Sequence, residues 1–224
     1  MELDMNELNK IDPLKRHVEK SLDSEEQSPF DPPDAYAPST LKGISLEDMH
    51  PAIQQLMLDH VEVLKITTAF EKALVDYKNN GYKLEKEIND AFGTFFKFFD
   101  NKLLLHNAKE DKYFFPVLEK HMLATGEHAI GENPMTAIDI MEDDHQRFIQ
   151  LGALCFNLFG LAMRLPDQAS RLVLLDAGFD NGRELVELLK LHIYREDYTL
   201  FPMAMKLMSK EELDFSEVQM KKMK

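Results

Sequence analysis

The sequence predicts an all-α protein: an antiparallel, up-down four-helix bundle made of two helical-hairpin repeats. Glycine is scarce, with 9 residues in 224, while leucine, lysine, glutamate, alanine and methionine are common, and this mixture favours helices over strands. Apolar residues recur in alternating steps of three and four along four long stretches, as on the inward face of bundle helices. Short loops join these stretches, so neighbouring helices must pack antiparallel around one core.

The first 44 residues are expected to form an extension outside the bundle. Residues 21–40 carry serine, aspartate, glutamate and four prolines, which is typical of a linker or of a tail laid over a surface. Residues 6–22 could form one short helix, broken near Pro13. We therefore predict three segments, namely an extension (1–44), the bundle (45–207) and a short C-terminal helix or tail (208–224).

The first bundle helix is predicted to begin near Ser45, which forms a plausible N-cap pair with Asp48. Residues 79–81, Asn-Asn-Gly, are a strong stop signal. The inward positions of this helix are Ile53, Leu56, His60, Val63, Thr67, Phe70 and Leu74.

The second helix is predicted from about Tyr82 to Leu123, with a bend near Pro116. A loop follows at residues 126–131. The inward positions of this helix are Ile88, Phe92, Phe95, Phe99, Leu103 and His106.

The third helix is predicted to begin at Asn133-Pro134, a good N-cap followed by proline in the first turn. Pro166-Asp167 separates it from the fourth helix, and a capping box of Ser209 and Glu212 begins a short C-terminal helix. The inward positions of the third helix are Ile138, Met141, His145, Phe148, Gly152, Cys155, Phe159 and Ala162, and those of the fourth are Leu185, Leu188, His192, Glu196 and Met203.

Two copies of one motif carry the chemistry. Residues 106–116 and 192–202 both read H-x-x-x-E-D-x-x-[FL]-F-P, without gaps. A spacing of four places the imidazole and the carboxylate on one helix face, about 6 Å apart. A single H-x-x-x-E has little weight, because roughly one is expected by chance in a chain of this composition. Two copies with the same tail are not a chance pair.

The motif belongs to a tandem repeat of one helical hairpin. His60 precedes His106 by 46 residues, and His145 precedes His192 by 47. Taken singly, a histidine on an inward face is more often a hydrogen-bonded core residue than a ligand. Folding the two copies around a pseudo-twofold axis, however, gathers four histidines and two glutamates in the middle of the bundle.

Burying six polar groups without a counter-charge would cost several kcal/mol. Two divalent cations would remove that cost. Two imidazoles per metal with shared carboxylates suit iron, with manganese as the second choice. The absence of thiolate ligands argues against a structural zinc site.

The repeated pattern, followed by Phe-Pro, resembles the hemerythrin-like, or HHE cation-binding, family over about residues 45–207. The resemblance implies a four-helix bundle with an oxo- or hydroxo-bridged di-iron centre. It also implies a ligand set of His60 and His106 on one iron, His145 and His192 on the other, and Glu110 and Glu196 as bridges.

The resemblance to oxygen-carrying hemerythrins is incomplete. Oxygen-carrying hemerythrins have a further histidine four residues after the histidine of the third helix, and this chain has Ile149 there. Their last bridging carboxylate is an aspartate, whereas the corresponding residue in this chain is Glu196. The ligand set is more similar to that of the bacterial proteins that repair iron centres. Those proteins often carry an N-terminal domain with paired cysteines, whereas this chain has a single cysteine, Cys155.

The leading hypothesis is a non-haem di-iron protein that binds O₂ or a related small molecule for sensing, storage or scavenging. The alternative is a di-iron enzyme that detoxifies NO or peroxide or serves iron–sulfur cluster repair. A third is a purely structural bundle or interaction module. Neither the catalytic residues nor the redox partner nor the oligomeric state follows from the sequence.

Four further residues have two interpretations each. Glu142, three before His145, is either an extra ligand or proton relay or an exposed charge. Tyr113 either hydrogen-bonds a bridging glutamate or packs in the core. Asp59 and Asp144 favour surface or helix-contact roles, with orientation of a neighbouring imidazole as the alternative.

The net charge of −14 disfavours nucleic acid and anionic membrane surfaces as partners. A single cysteine excludes an intrachain disulfide and favours a reducing compartment. The N-terminus shows no basic start followed by an apolar run, so a secretory signal is not expected. We therefore expect a cytoplasmic protein whose partners are small gases or oxidants such as O₂, NO or peroxide.

Overall fold

The computed structural model describes residues 45–129 and 134–223, and the regular elements there are all helical. A 3₁₀ turn (Leu46–Asp48) precedes α1 (Pro51–Asn79), α2 (Lys86–Phe98), α3 (Leu104–Lys109), α4 (Phe115–Thr125), α5 (Ala137–Ala162), α6 (Gln168–Arg195), α7 (Phe201–Leu207) and α8 (Lys210–Met220). Three π-helical segments join some of these helices directly: Phe99–Leu103, Glu110–Phe114 and Glu196–Leu200. The predicted extension over residues 1–44, with its short helix at 6–22, lies outside the described residues.

Four long helices form a bundle, which confirms the predicted fold class. The first is α1, the second runs from α2 through α4, the third is α5, and the fourth runs from α6 through α7. Helix α5 packs along α6, and α1 packs against both α2 and α6. Aromatic side chains fill the core, and the rings of Phe70 and Phe95 stack with centroids 3.8 Å apart. None of the helices in the two described stretches has the length and apolar character needed to cross a membrane.

The start of α1 differs from the prediction. Ser45 precedes only the 3₁₀ turn and makes no side-chain cap bond. The N-cap is His50, whose Nδ1 accepts a hydrogen bond from the backbone N–H of Ala52 at 3.2 Å. Helix α1 begins here because of Pro51: the residue before a proline is held extended, and a helix can begin at the proline itself. The predicted stop is confirmed, since α1 ends at Asn79.

Two other helices begin later than predicted. Tyr82 has φ of 60°, which excludes it from a helix, and α2 begins at Lys86. Helix α5 begins at Ala137 rather than at Pro134. Its cap is Thr136, which forms a reciprocal capping box with Asp139. Asn133 lies outside the described residues.

The C-terminal capping box is confirmed, and it ties α8 to the bundle. Ser209 accepts a hydrogen bond from the backbone N–H of Glu212, and the carboxylate of Glu212 accepts one from that of Ser209. The same carboxylate lies 3.0 Å from Nε2 of His121. Ser216 donates to the carbonyl of Tyr113 at 2.8 Å.

Two of the π-helical segments lie directly before the Phe-Pro pairs, one of them at the predicted bend near Pro116. Glu110–Phe114 and Glu196–Leu200 occupy equivalent positions in the two repeats, and each ends just before a Phe-Pro pair. Proline has no N–H and crowds the carbonyl four residues earlier, so it interrupts an α-helical ladder. Here one helical turn contains an extra residue, as in a π-helix. The N–H of Phe115 bonds to the carbonyl of Glu110, and the N–H of Phe201 bonds to the carbonyl of Glu196. The helix therefore continues through Pro116, with a π turn of the kind often found at functional sites.

Two glycines of α5 provide a test of this packing. A Cβ at Gly152 would lie 2.8 Å from Cζ of Phe99, the buried residue that begins the first π-helical segment, whereas a Cβ at Gly160 would meet nothing within 4 Å. We expect Gly152→Ala to destabilise the fold by about 1 to 3 kcal/mol through overpacking. Gly160→Ala should stabilise it by up to about 1 kcal/mol. Urea unfolding measures both, and shifts of the same sign would contradict the packing described.

Candidate metal centre

The six predicted ligands converge at mid-bundle and are buried, with none more than 4% exposed. Each of the four long helices contributes at least one of them. His60 lies on α1, His106 on α3, His145 on α5 and His192 on α6, while Glu110 and Glu196 are the first residues of two π-helical segments.

The histidines meet in two pairs, one from each repeat. Nε2 of His60 lies 3.0 Å from Nε2 of His106, and Nε2 of His145 lies 3.1 Å from Nε2 of His192. Two nitrogens that each bind one metal at about 2.1 Å, at a right angle, would be about 3.0 Å apart. The spacing of each pair is therefore that of two ligands of one cation.

Each glutamate lies between the two histidine pairs. Oε2 of Glu196 is 3.2 Å from Nε2 of both His60 and His192. Oε1 of Glu110 is 3.3 Å from His106, and its Oε2 is 3.7 Å from His145. Two sets of four groups result, each with two histidines and both glutamates, and the ligand atoms of each set lie within 4.8 Å of one another. Each set could hold a metal ion, and both sets include the same two carboxylates.

The carboxylate oxygens have no hydrogen-bond partner among the described residues. All four oxygens of Glu110 and Glu196 are buried and without a hydrogen-bond partner, although ring nitrogens lie close to them. A buried polar group without a partner costs about 1 to 3 kcal/mol, and a charged one costs more. Four unpaired oxygens beside four converging nitrogens fit a pair of divalent cations, and this oxygen-and-imidazole set suits iron or manganese.

Two aspartates orient the first histidine of each repeat. Oδ1 of Asp197 lies 2.7 Å from Nδ1 of His60, and Oδ1 of Asp111 lies 2.8 Å from Nδ1 of His145. These aspartates follow the glutamates in both copies of the motif, and each one serves the histidine of the other repeat. Sequence reasoning missed their role, although their presence in both copies was the available signal.

A second pair of aspartates faces the remaining imidazoles. Asp59 lies 3.4 Å from Nδ1 of His106, and Asp144 lies 3.3 Å from Nδ1 of His192. The structure thus supports the orienting role that the sequence left as an alternative. With an acceptor at each Nδ1, the proton of a neutral ring stays on that nitrogen and the Nε2 lone pair faces the centre.

The phenylalanine of each Phe-Pro pair completes the exchange between repeats. The ring of Phe201 stacks on His60 with centroids 5.6 Å apart, and that of Phe115 stacks on His145 at 5.7 Å. Each motif therefore ends in a residue that fixes the plane of the other repeat's imidazole.

Glu142 and Tyr113 stay outside the cluster. Glu142 is exposed and lines a cavity beside His145, where partial burial and the nearby carboxylates of Asp111, Glu119 and Asp139 raise its pKa. Tyr113 makes no hydrogen bond to either bridging glutamate. The π turn that begins at Glu110 changes the helical phase, so position seven after His106 no longer shares its face.

In the absence of metal, the buried histidines and glutamates of the cluster shift one another's pKa values. Burial alone would lower the pKa of His60, but Asp197 and Glu196 raise it to about 10. The pKa of His192 is likewise raised to about 9, against the effect of burial, by Glu196 and Asp144. Burial would raise the pKa of Glu196, yet His192 and His60 hold it well below its usual range. These directions favour protonated imidazoles in the metal-free centre, and a metal ion that binds there would compete with those protons.

These shifts predict how the stability of the metal-free protein depends on pH. A histidine with a raised pKa stabilises the fold fully below its unfolded value near 6.5, and this contribution is lost as the pH rises through the folded value. Thermal unfolding of metal-free protein should therefore show a falling midpoint from about pH 6.5 towards 10. The fall should be smaller in Glu196→Gln, which lacks the charged partner. Equal slopes for the two proteins would contradict the proposed pairing.

A comparison with known protein families gives one finding. The family model of the hemerythrin HHE cation-binding domain matches residues 51–204. The matched region spans α1 through α7 and contains all six converging residues. Comparison with curated proteins gives no match.

Proposed function

The chain belongs to the hemerythrin HHE cation-binding domain family, and from this premise we propose that it is a non-haem di-iron protein that binds O₂ or a related small molecule. The observation that carries the proposal is the set of four buried, unpaired carboxylate oxygens between two converging pairs of imidazoles. An imidazole-rich set favours iron over manganese. Sensing, storage or scavenging of the small molecule is the proposed role.

The proposal assigns a role to each of the six converging residues. One iron would be held by His60 and His106 and the other by His145 and His192. Glu110 and Glu196 would supply carboxylate ligands to both. When bound, the two irons would supply reversible electron transfer to the small ligand.

The surroundings of the centre limit what can bind there. A cavity of only about 10 Å³ adjoins three of the histidines and is otherwise lined mainly by apolar residues such as Val63 and Phe148. That volume is about what one water molecule requires. The ligand must therefore be very small, and bulk water is excluded from the place where it binds.

The first prediction from this proposal concerns metal content. Iron-replete wild-type protein should contain two irons per chain, and the double variant His106→Ala/Glu196→Ala should lose most of this iron because each metal loses a ligand or its bridge. His121→Ala is the control, since this histidine lies away from the centre against Glu212. Elemental analysis of purified protein checks both. Unchanged iron in the double variant would overturn the proposed centre.

The second prediction separates binding from turnover. We expect new near-ultraviolet absorption bands when the reduced protein meets air, and we expect deoxygenation to reverse them. Irreversible oxidation would instead support the enzymatic alternative of NO or peroxide detoxification or cluster repair.

The third prediction compares the orienting aspartates. Asp197→Asn removes the 2.7 Å charged acceptor of His60 and should weaken iron binding about 10- to 100-fold. Asp59→Asn acts on a longer 3.4 Å contact and should have a smaller effect. Competition with a chelator measures both affinities, and the reverse order would show that these distances do not govern ligand orientation.

A further inference from the structure

Asn107 is a buried polar residue with an unexplained side chain. It is 5% exposed, and its Nδ2 has no hydrogen-bond partner among the described residues. It follows His106 directly on α3. A buried donor without a partner is rare in folded proteins and calls for a ligand or a functional explanation.

The position of Asn107 suggests what the partner is. A cavity of about 400 Å³ lies between the second and third long helices, beside His145, and reaches the surface at the exposed residues Glu142, Gln146 and Ile149. The 10 Å³ cavity adjoins the histidines on the inside. Asn107 lines both cavities, so this residue lies between the outer space and the proposed metal centre.

The repeat provides an internal comparison. The inner cavity is lined by matching residues of the two repeats, such as Leu103 with Leu189 and His106 with His192. The residue after His192 is Ile193, an apolar core residue, where the first repeat has Asn107. Next to them, Ala108 on the wall of the large cavity corresponds to the much larger Tyr194. The symmetry of the ligands is therefore broken at the place where the cavity meets the centre.

We propose that Asn107 is a ligand-binding residue, whose side-chain N–H donates to a small neutral molecule with a hydrogen-bond acceptor atom that enters through the large cavity. The inference rests on the proposed metal centre and adds the route and the donor. An anion is disfavoured because Glu142 and Asp111 line the cavity with carboxylates. A cation is disfavoured because the side-chain N–H of Asn107 is a donor, so the molecule is neutral. The small side chain of Ala108 leaves the cavity wide enough for the molecule to enter, and the amide of Asn107 holds the molecule beside the histidines.

Three variants test the proposal, with NO as the probe on reduced, iron-loaded protein under anaerobic conditions. Asn107→Leu replaces the amide with an apolar group of similar shape, and we expect NO to dissociate about tenfold faster because one hydrogen bond is lost. Ala108→Tyr copies Tyr194 and should slow association and dissociation alike, leaving the affinity nearly unchanged. Asn157→Leu makes the same change at an exposed asparagine of α5 whose amide donates to the carbonyl of Ala153, and this control should change neither rate.

A second measurement does not depend on iron. In the metal-free protein, Asn107→Leu should raise the urea midpoint of unfolding, because it removes a buried donor that has no partner. Ile193→Leu should leave the midpoint unchanged or lower it. A lower midpoint for Asn107→Leu would reveal a structural partner for the amide and overturn the proposal.

The outcomes distinguish the two levels of inference. A wild-type protein that binds no iron would overturn the metal centre and the role of Asn107 with it. A wild-type iron content together with unchanged NO dissociation in Asn107→Leu would overturn only the role of Asn107. Unchanged NO association in Ala108→Tyr would overturn the route. If Asn107→Leu loses iron, Asn107→Ala also lacks the donor, and the same faster dissociation is expected from it.

Discussion

The burial of two carboxylates in the middle of an apolar helical bundle is the constraint on which the rest of the structure depends. Glu110 and Glu196 are fully buried, and no hydrogen bond from the described residues satisfies them. Charges in such a place are tolerated only when opposite charges meet them at close range. Four imidazoles converge on the carboxylates, and without metal the nearby carboxylates raise the pKa of His60 and of His192, which favours the charged imidazolium forms.

The second constraint is the orientation of the imidazoles, and the two repeats solve it by exchange. Asp197 and Phe201 from the second repeat hold His60 of the first, and Asp111 and Phe115 hold His145 in the same way. Neither helical hairpin therefore contains a complete site. The Phe-Pro pairs also directly follow the π turns that begin at Glu110 and Glu196, so one short motif contains a candidate ligand, an orienting acceptor, a stacking ring and the local backbone geometry.

The ligands and their acceptors follow the pseudo-twofold symmetry of the repeat, but the surroundings do not. The large cavity lies beside His145, where the first repeat carries Asn107 and Ala108. The second repeat carries Ile193 and Tyr194 at the corresponding positions. Under the proposed function, this asymmetry would direct a small ligand to one side of the centre.

The sequence by itself determined the helical fold and the identity of the six converging residues. Helical periodicity is a local property, so spacings of three and four place His60 and His145 on inward faces without knowledge of the partner helix. The repeated motif then placed Glu110 and Glu196 one turn from their histidines. The stop at Asn79 and the capping box at Ser209 were predictable for the same reason, since caps depend on neighbouring residues.

Only the tertiary structure decided which residues meet across helices. Periodicity assigns a face to each residue but not the depth or register at which two helices dock, so it could not pair Asp111 with His145 or Asp197 with His60. The π turns escaped prediction because a proline predicts an interrupted ladder without saying how the chain compensates. The sequence did not indicate a role for Asn107, because an asparagine on a helix is ordinary until packing buries its amide without a partner.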